Sequence, residues 1–115
     1  MDWRPISPTE RGLINLLLSA QFDGRDVIQK QIESAMVRTI HAEGSFEFNS
    51  SCTESAEVRR SIPVEAKVED SDGVTIHMLL HILQGKVNEL EIYKNDLSQI
   101  MELPPPERWT VIVLE

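Results

Sequence analysis

Two histidines and three glutamates with acid/base chemistry stand on neighbouring stretches of this chain. His77 and His81 lie in "GVTIHMLLHIL", Glu89 and Glu91 in "KVNELEIYK", and Glu65 in "SIPVEAKVED". A histidine set between carboxylates holds its proton more firmly and can serve as an acid or base, or bind a cation. Which of these groups meet depends on strand register, because side chains alternate between the two faces of a sheet.

Residues 73–83 alternate cleanly. Val74, Ile76, Met78, Leu80 and Ile82 form one row, and Thr75, His77, Leu79, His81 and Leu83 the other. Beyond the turn, Leu90 and Ile92 alternate with Glu89, Glu91 and Tyr93. A two-residue turn at Gln84-Gly85 would set Leu80 against Glu89 and Met78 against Glu91, and would need positive φ at Gln84. A three-residue loop, Leu83-Gln84-Gly85, places glycine at the left-handed position, pairs Ile82 with Lys86, Met78 with Leu90 and Ile76 with Ile92. Burying Leu90 and Ile92 favours the second arrangement by ~1.5–3 kcal/mol per side chain and keeps two carboxylates in water. The three-residue loop is therefore the expected connection. A one-residue slip would invert both rows.

On the other side, matching apolar rows through "VEDSDGV" sets Val68 opposite Val74 and Glu65 beside His77. The expected site is thus a row, Glu65–His77–Glu91, across three strands on the face away from the core, with Lys67, Thr75 and Tyr93 one step along. His77 is the candidate acid/base, and Glu65, Lys67, His77, Glu91 and Tyr93 the candidate binding residues. The same row also reads as a solvated face whose opposite charges pair at ~0.2–1 kcal/mol each. No metal site is expected, since His77 and His81 stand roughly 13 Å apart along a strand at ~3.3 Å per residue. No cofactor is expected either: G-x-S-x-G, HExxH, the P-loop and G-x-G-x-x-G are all missing. "DSDG" at 70–73 starts like a calcium loop but lacks its closing glutamate, and reads as a tight turn.

The elements that must position this row come in a simple order. "ISPTERGLINLLLSAQF" has Ser7 as N-cap, Pro8 at the first helical position and Glu10 completing a capping box, followed by the apolar stripe Leu13, Ile14, Leu16, Leu17, Leu18 and Ala20. A second helix follows in "FDGRDVIQKQIESAM", with Asp23 as cap and Val27, Ile28, Gln31, Ile32 and Ala35 at helical spacing. From Met36 the period drops to two, and "MVRTIHAEGSFEF" reads as a hairpin around Ala42–Gly44. Residues 49–60 are polar and turn-rich, a surface loop. Ile62, Val64, Ala66 and Val68 then line one face of a strand, with Pro63 marking its edge or its start. "LPPPER" precludes a regular element, and "WTVIVL" forms a last strand. The chain therefore reads as one α+β domain over 1–115: a helical part, 7–35, packed on one face of a mainly antiparallel sheet of five to six strands, 36–115.

Composition narrows the partners. The 115 residues carry 19 acidic against 11 basic side chains, a formal net charge of −8. That disfavours nucleic acid and anionic membranes and leaves a basic protein or a cationic small molecule. Cys52 is the single cysteine, so no intramolecular disulfide or thiolate zinc site forms, and it reads as an incidental loop thiol. The polar N-terminus is unlike a signal peptide and no apolar run is long enough to span a bilayer, which makes the cytoplasm the expected location. Trp3 and Trp109 read as core or lid residues.

Several stretches together, "RPISPTERGLINLLL", "FDGRDVIQKQI", "MVRTIHAEGSFEF", "VRRSIPVEAKVEDSDGVTIHMLLHILQGKVNELEIYKND" and "LPPPE", resemble an uncharacterised family of small bacterial, largely actinobacterial proteins classed as a domain of unknown function. The resemblance implies a compact α+β domain and brings no catalytic residues with it. Helices followed by a meander are also similar in architecture to cystatin-like curved sheets, which says nothing of function. The sequence thus points to a non-enzymatic, immunity-like module that presents its acidic sheet face to a basic protein. The alternative is a small-molecule binder or enzyme with a pocket between the helices and a curved sheet, using His77. A homodimer through exposed Leu79 and Val87 is a third expectation.

Overall fold

The computed structural model describes residues 2–41 and 43–114. Helix α1 spans Pro8–Leu18 and α2 spans Arg25–Glu33. Six strands follow: β1 (Ala35–Thr39), β2 (Phe46–Ser50), β3 (Val64–Glu69), β4 (Thr75–Leu83), β5 (Lys86–Lys94) and β6 (Thr110–Val113). They form one antiparallel sheet in the order β1-β2-β5-β4-β3-β6.

The capping box of α1 forms as expected: the Ser7 hydroxyl accepts from the Glu10 amide, and the Glu10 carboxylate accepts from the Ser7 amide at 2.9 Å. Arg4 clamps that carboxylate with two bonds of 2.8 and 2.6 Å, and this pairing first, with Ser7 adding to it, holds the Glu10 pKa below its usual value. The second cap differs from expectation. Gly24, at φ 88°, is the N-cap of α2, and Asp23 instead lies 3.9 Å from Arg59 at the surface. A Cβ at Gly24 would stand 2.9 Å from a Val58 methyl, so glycine both makes the left-handed turn and admits the 49–60 loop. Ala35, placed on the helix by its spacing, begins β1.

Leu13, Ile14, Leu17, Ile28 and Ile32 from the helices meet Val37, Phe46, Val64, Ala66, Ile76, Met78, Leu80, Leu90 and Ile92 from the strands, all buried. Helix α1 lies against β3, and α2 against β5, β1 and β2. The molecule measures 42 × 34 × 21 Å. The short dimension accommodates one helical layer on one sheet, so among the described residues the second sheet face has no layer over it.

Both hairpins around β4 differ from the expected pairings. The β4–β5 connection is the two-residue turn, with Leu83 opposite Lys86, Gln84 at φ 52° and Gly85 at φ 77°. A bulge follows: Ile82 faces Val87, but His81 faces Glu89, leaving Asn88 as the extra residue. From there Leu80 pairs with Leu90, Met78 with Ile92 and His77 with Tyr93. The three-residue loop with a left-handed glycine occurs instead at Ser71-Asp72-Gly73, where the Asp70 amide bonds the Val74 carbonyl at 2.9 Å and Gly73 has φ 82°. Val68 accordingly pairs with Ile76 and Lys67 with His77. Beyond the bulge each pairing is displaced by two residues, so there the inward and outward rows are as expected while the cross-strand neighbours are not; before it the displacement is one, and Val87 turns inward.

The strained turn at Gln84 is held from elsewhere in the chain. Fully buried Gln31 of α2 donates to the carbonyls of Gly85 (2.9 Å) and Glu54 (2.8 Å) and accepts from the Val87 amide (2.8 Å). The Ala56 amide adds a bond to Gly85 at 2.8 Å, and a Cβ on Gly85 would lie 2.9 Å from the Ala56 carbonyl. Asn49 and Ser50, expected in the loop, close β2; residues 51–60 are an irregular segment, as expected, but one fitted against the hairpin, with Ala56 buried. Pro63 lies just before β3, an interior strand, so it marks a start and not an edge; its carbonyl accepts from Leu114 at 2.8 Å. "LPPPER" contains one short 3-10 turn, Pro106–Arg108, where no regular element was expected. Trp109 beyond it is buried, its indole donating to the Pro104 carbonyl at 3.1 Å.

Candidate functional site

The outward rows of the strands build the open face. On β4 these are Thr75, His77, Leu79 and His81; on β5 they are Glu89, Glu91 and Tyr93; on β3, Glu65 and Lys67; on β2, Glu47. Inward neighbours in each strand are buried while these positions are partly exposed.

The expected row Glu65–His77–Glu91 does not form. The two-residue displacement places Leu79 between Glu65 and Glu91, and sets His77 between Lys67 and Tyr93. The His77 ring stacks on Tyr93 with centroids 4.8 Å apart and planes 13° from parallel, and its Nε2 lies 3.2 Å from Asn95 Oδ1. Glu65 has Lys67 at 3.8 Å on its own strand. The helices lie on the opposite side of the sheet from His77, so the space between helices and sheet is core and not a pocket around this residue. Glu91 and Tyr93 border a shallow groove of about 190 Å³ with His41 and Leu97, and Lys67 borders another of about 390 Å³ with Arg108 and Thr110. His77 lines neither groove. Val87, expected outside, is buried by the bulge, so the homodimer expectation retains only half-exposed Leu79.

The histidine that does meet two carboxylates is His81. It faces Glu89 directly, and its Nε2 lies 2.8 Å from Glu91 Oε1 on the diagonal. One donor atom from each of His81, Glu89 and Glu91 lies within 4.8 Å of the others, and all three residues are half-buried. The expected pairing of Ile82 with Lys86, which sets His81 opposite Val87, had hidden this cluster; alternation puts both glutamates in the outward row with His81 but does not choose which of them it meets. The row continues across the sheet. Glu47 pairs in register with Glu89, Arg38 is bonded to Glu47, and the Arg38 guanidinium sits 4.4 Å over the Trp3 ring. Trp3 is thus a partly exposed platform at the rim of the face, while Trp109 fills the core.

A second charged cluster was also missed. Lys94 occupies an inward position opposite Ile76 and is fully buried, 2.9 Å from Asp70 and 2.6 Å from Asp72. Asp70 also accepts from the amides of Met101 (2.7 Å), Ser71 (2.7 Å) and Glu102 (3.2 Å). The Met101 amide first, then Lys94 and the Ser71 and Glu102 amides, push the Asp70 pKa far below the usual carboxylate range; Lys94 and the Val74 amide lower that of Asp72. Lys94 is raised, chiefly by Asp72 and then Asp70. "DSDG" is a tight turn as expected, and its two aspartates additionally anchor the 95–103 segment through Lys94. Cys52 is a half-buried loop thiol; its carbonyl accepts from Lys86 at 3.2 Å. Among the described residues no helix is long and apolar enough to cross a membrane.

Comparison with known proteins adds a family match. A family model described as a domain of unknown function, DUF6984, covers residues 3–104. No curated protein and no solved structure matches the chain.

Proposed function

We propose that this chain, which belongs to the DUF6984 family, a domain of unknown function, is a non-enzymatic cytoplasmic binding module. Its open sheet face receives a basic segment of a partner protein, in the manner of an immunity protein. The observation that carries this reading is the make-up of that face. Glu47, Glu65, Glu89 and Glu91 are interleaved there with the stacked His77–Tyr93 pair and Leu79, with no layer of the described residues above them. Arginine suits such a surface twice over: its planar fork pairs with carboxylates and its flat face stacks on aromatic rings. Of the face's own cations, Arg38 is committed to Glu47 and Trp3, and Lys67 lies beside Glu65. With 8 negative charges in excess over the whole chain, the field steers a cationic partner toward the molecule.

The test is affinity capture from lysate of the organism that encodes the chain, using wild type and a Glu65→Lys/Glu91→Lys variant. A basic protein that is retained by wild type at low salt, released in about 1 M salt where the Debye length is about 3 Å, and lost from the variant supports the reading. Capture that ignores both salt and the two substitutions, or no capture at either salt, refutes it.

A further inference from the structure

The cluster of His81, Glu89 and Glu91 has donor chemistry of its own, distinct from a broad recognition face. We infer that these three side chains form a binding site for one divalent transition-metal ion of the zinc class. The donor set is one imidazole and two carboxylates, which suits Zn²⁺, Co²⁺ or Mn²⁺ better than Mg²⁺ or Ca²⁺, whose sites are built from oxygen alone.

Three observations carry the inference. Spacing is the first: the donor atoms lie within 4.8 Å of one another, and His81 Nε2 is already 2.8 Å from Glu91 Oε1. Donors around a four-coordinate ion with bonds of about 2.1 Å sit roughly 3.4 Å apart, so rotations of the partly exposed side chains bring all three to one centre. Backbone rigidity is the second. All three donors stand on the paired strands β4 and β5, and the Asn88 bulge sets Glu89 against His81.

Charge is the third. Among the described residues Glu89 has no ion pair or side-chain hydrogen bond, and the neighbouring Glu47 is tied to Arg38. The far end of β5 shows the alternative solution at Lys94, where an ammonium lies between two aspartates of the β3–β4 turn. At His81 two carboxylates converge with no such cation between them. A dication supplies that charge, and an imidazole ligates it in the neutral form. Three protein ligands on an open face leave at least one coordination position toward solvent. The site requires no protein partner and is measured on the chain alone, so its failure leaves the recognition reading untouched.

The experiment is calorimetric titration of tag-free, chelator-treated protein with Zn²⁺, together with ¹⁵N-correlated spectra of the histidine side chains. One ion per chain should bind saturably, moving the His81 resonances while those of His41 and His77 stay in place. His81→Gln, or the double variant Glu89→Gln/Glu91→Gln, should weaken binding by at least about tenfold, since loss of an outer-shell group alone commonly costs that much. His41→Gln should bind as wild type does. No saturable uptake up to about 1 mM, unchanged affinity in the double glutamine variant, or movement of His41 or His77 in place of His81 overturns the inference. Circular dichroism confirms the fold of each variant, and the wild-type spectra decide the site even where a variant is lost.

Discussion

Strand β5 and its neighbours carry two clusters of one basic residue with two carboxylates, and the two are built in opposite ways. Lys94 with Asp70 and Asp72 lies on the core side, where Lys94 and Asp70 are sealed from water and four backbone amides complete the aspartates' hydrogen bonds. His81 with Glu89 and Glu91 lies on the open face, half-exposed and with Glu89 unpaired among the described residues. Burial makes the first cluster obligatory, because each of its charges would be stranded without the others. Exposure leaves the second free to be rearranged, so its carboxylates can serve a ligand. A charged cluster is structural or available according to which sheet face it occupies, and here the alternation of β5 assigns one of each.

The largest expected effect that sharpens this contrast is on Lys94. Lys94→Met should lower Tm by more than about 10 °C, since removing one partner of a buried pair leaves the others uncompensated. Amide exchange in residues 95–103 should accelerate at the same time, as their anchor is lost. A melting curve close to wild type would break the comparison, by making the buried cluster no more structural than the exposed one.

Acid should act next, and through the same buried cluster. Asp70 and Asp72 have folded pKa values below their ordinary 3.8, so their contribution is complete above that value and disappears as pH falls beneath it. Lys94 is raised above its ordinary 10.5, so its contribution holds below that value and is lost only at higher, alkaline pH. Urea midpoints should therefore be level across neutral pH and drop below about pH 4. Asp72→Asn should flatten that acid limb relative to wild type. An equally steep limb in the variant would assign acid sensitivity to other groups.

The smallest effect is expected on the open face. Glu89→Gln and Glu91→Gln should each change stability by no more than about 0.5 kcal/mol, as surface substitutions do. Thermal melts of the two variants check this. A loss of 2 kcal/mol or more would mean that the His81 cluster supports the fold in the way the Lys94 cluster does.

How much of this was legible beforehand depends on the residue in question. The alternation in 73–83 and the burial of Leu90 and Ile92 correctly assigned the inward and outward rows on both hairpins except at the bulge, where Val87 lies inside. The neighbours within the outward row were not legible, because hydrophobic burial repeats every two residues and is equally satisfied by registers two apart. The glutamine turn was set aside because Gln84 tolerates positive φ poorly, and that cost is real. What offsets it is Gln31, whose spacing marked it merely as part of a helix stripe. Lys94 was equally hidden: a lysine in an inward row reads as the end of a strand until both aspartates of a turn are found above it.

From the sequence alone came the α+β class, the α1 capping box, the acid excess and the two faces of β3, of β4 and of β5 beyond its bulge. All of these rest on local periodicity, on short-range hydrogen bonds or on composition, which a linear reading contains. The tertiary structure decided the register, the Asn88 bulge and the identity of the histidine that meets two carboxylates. Those depend on contacts between segments far apart in the chain: Gln31 on the Gly85 turn, the 49–60 segment against it, and β2 laid beside β5 at Glu47 and Glu89. Such contacts have no local signature, and they select among registers that hydrophobic burial leaves equivalent.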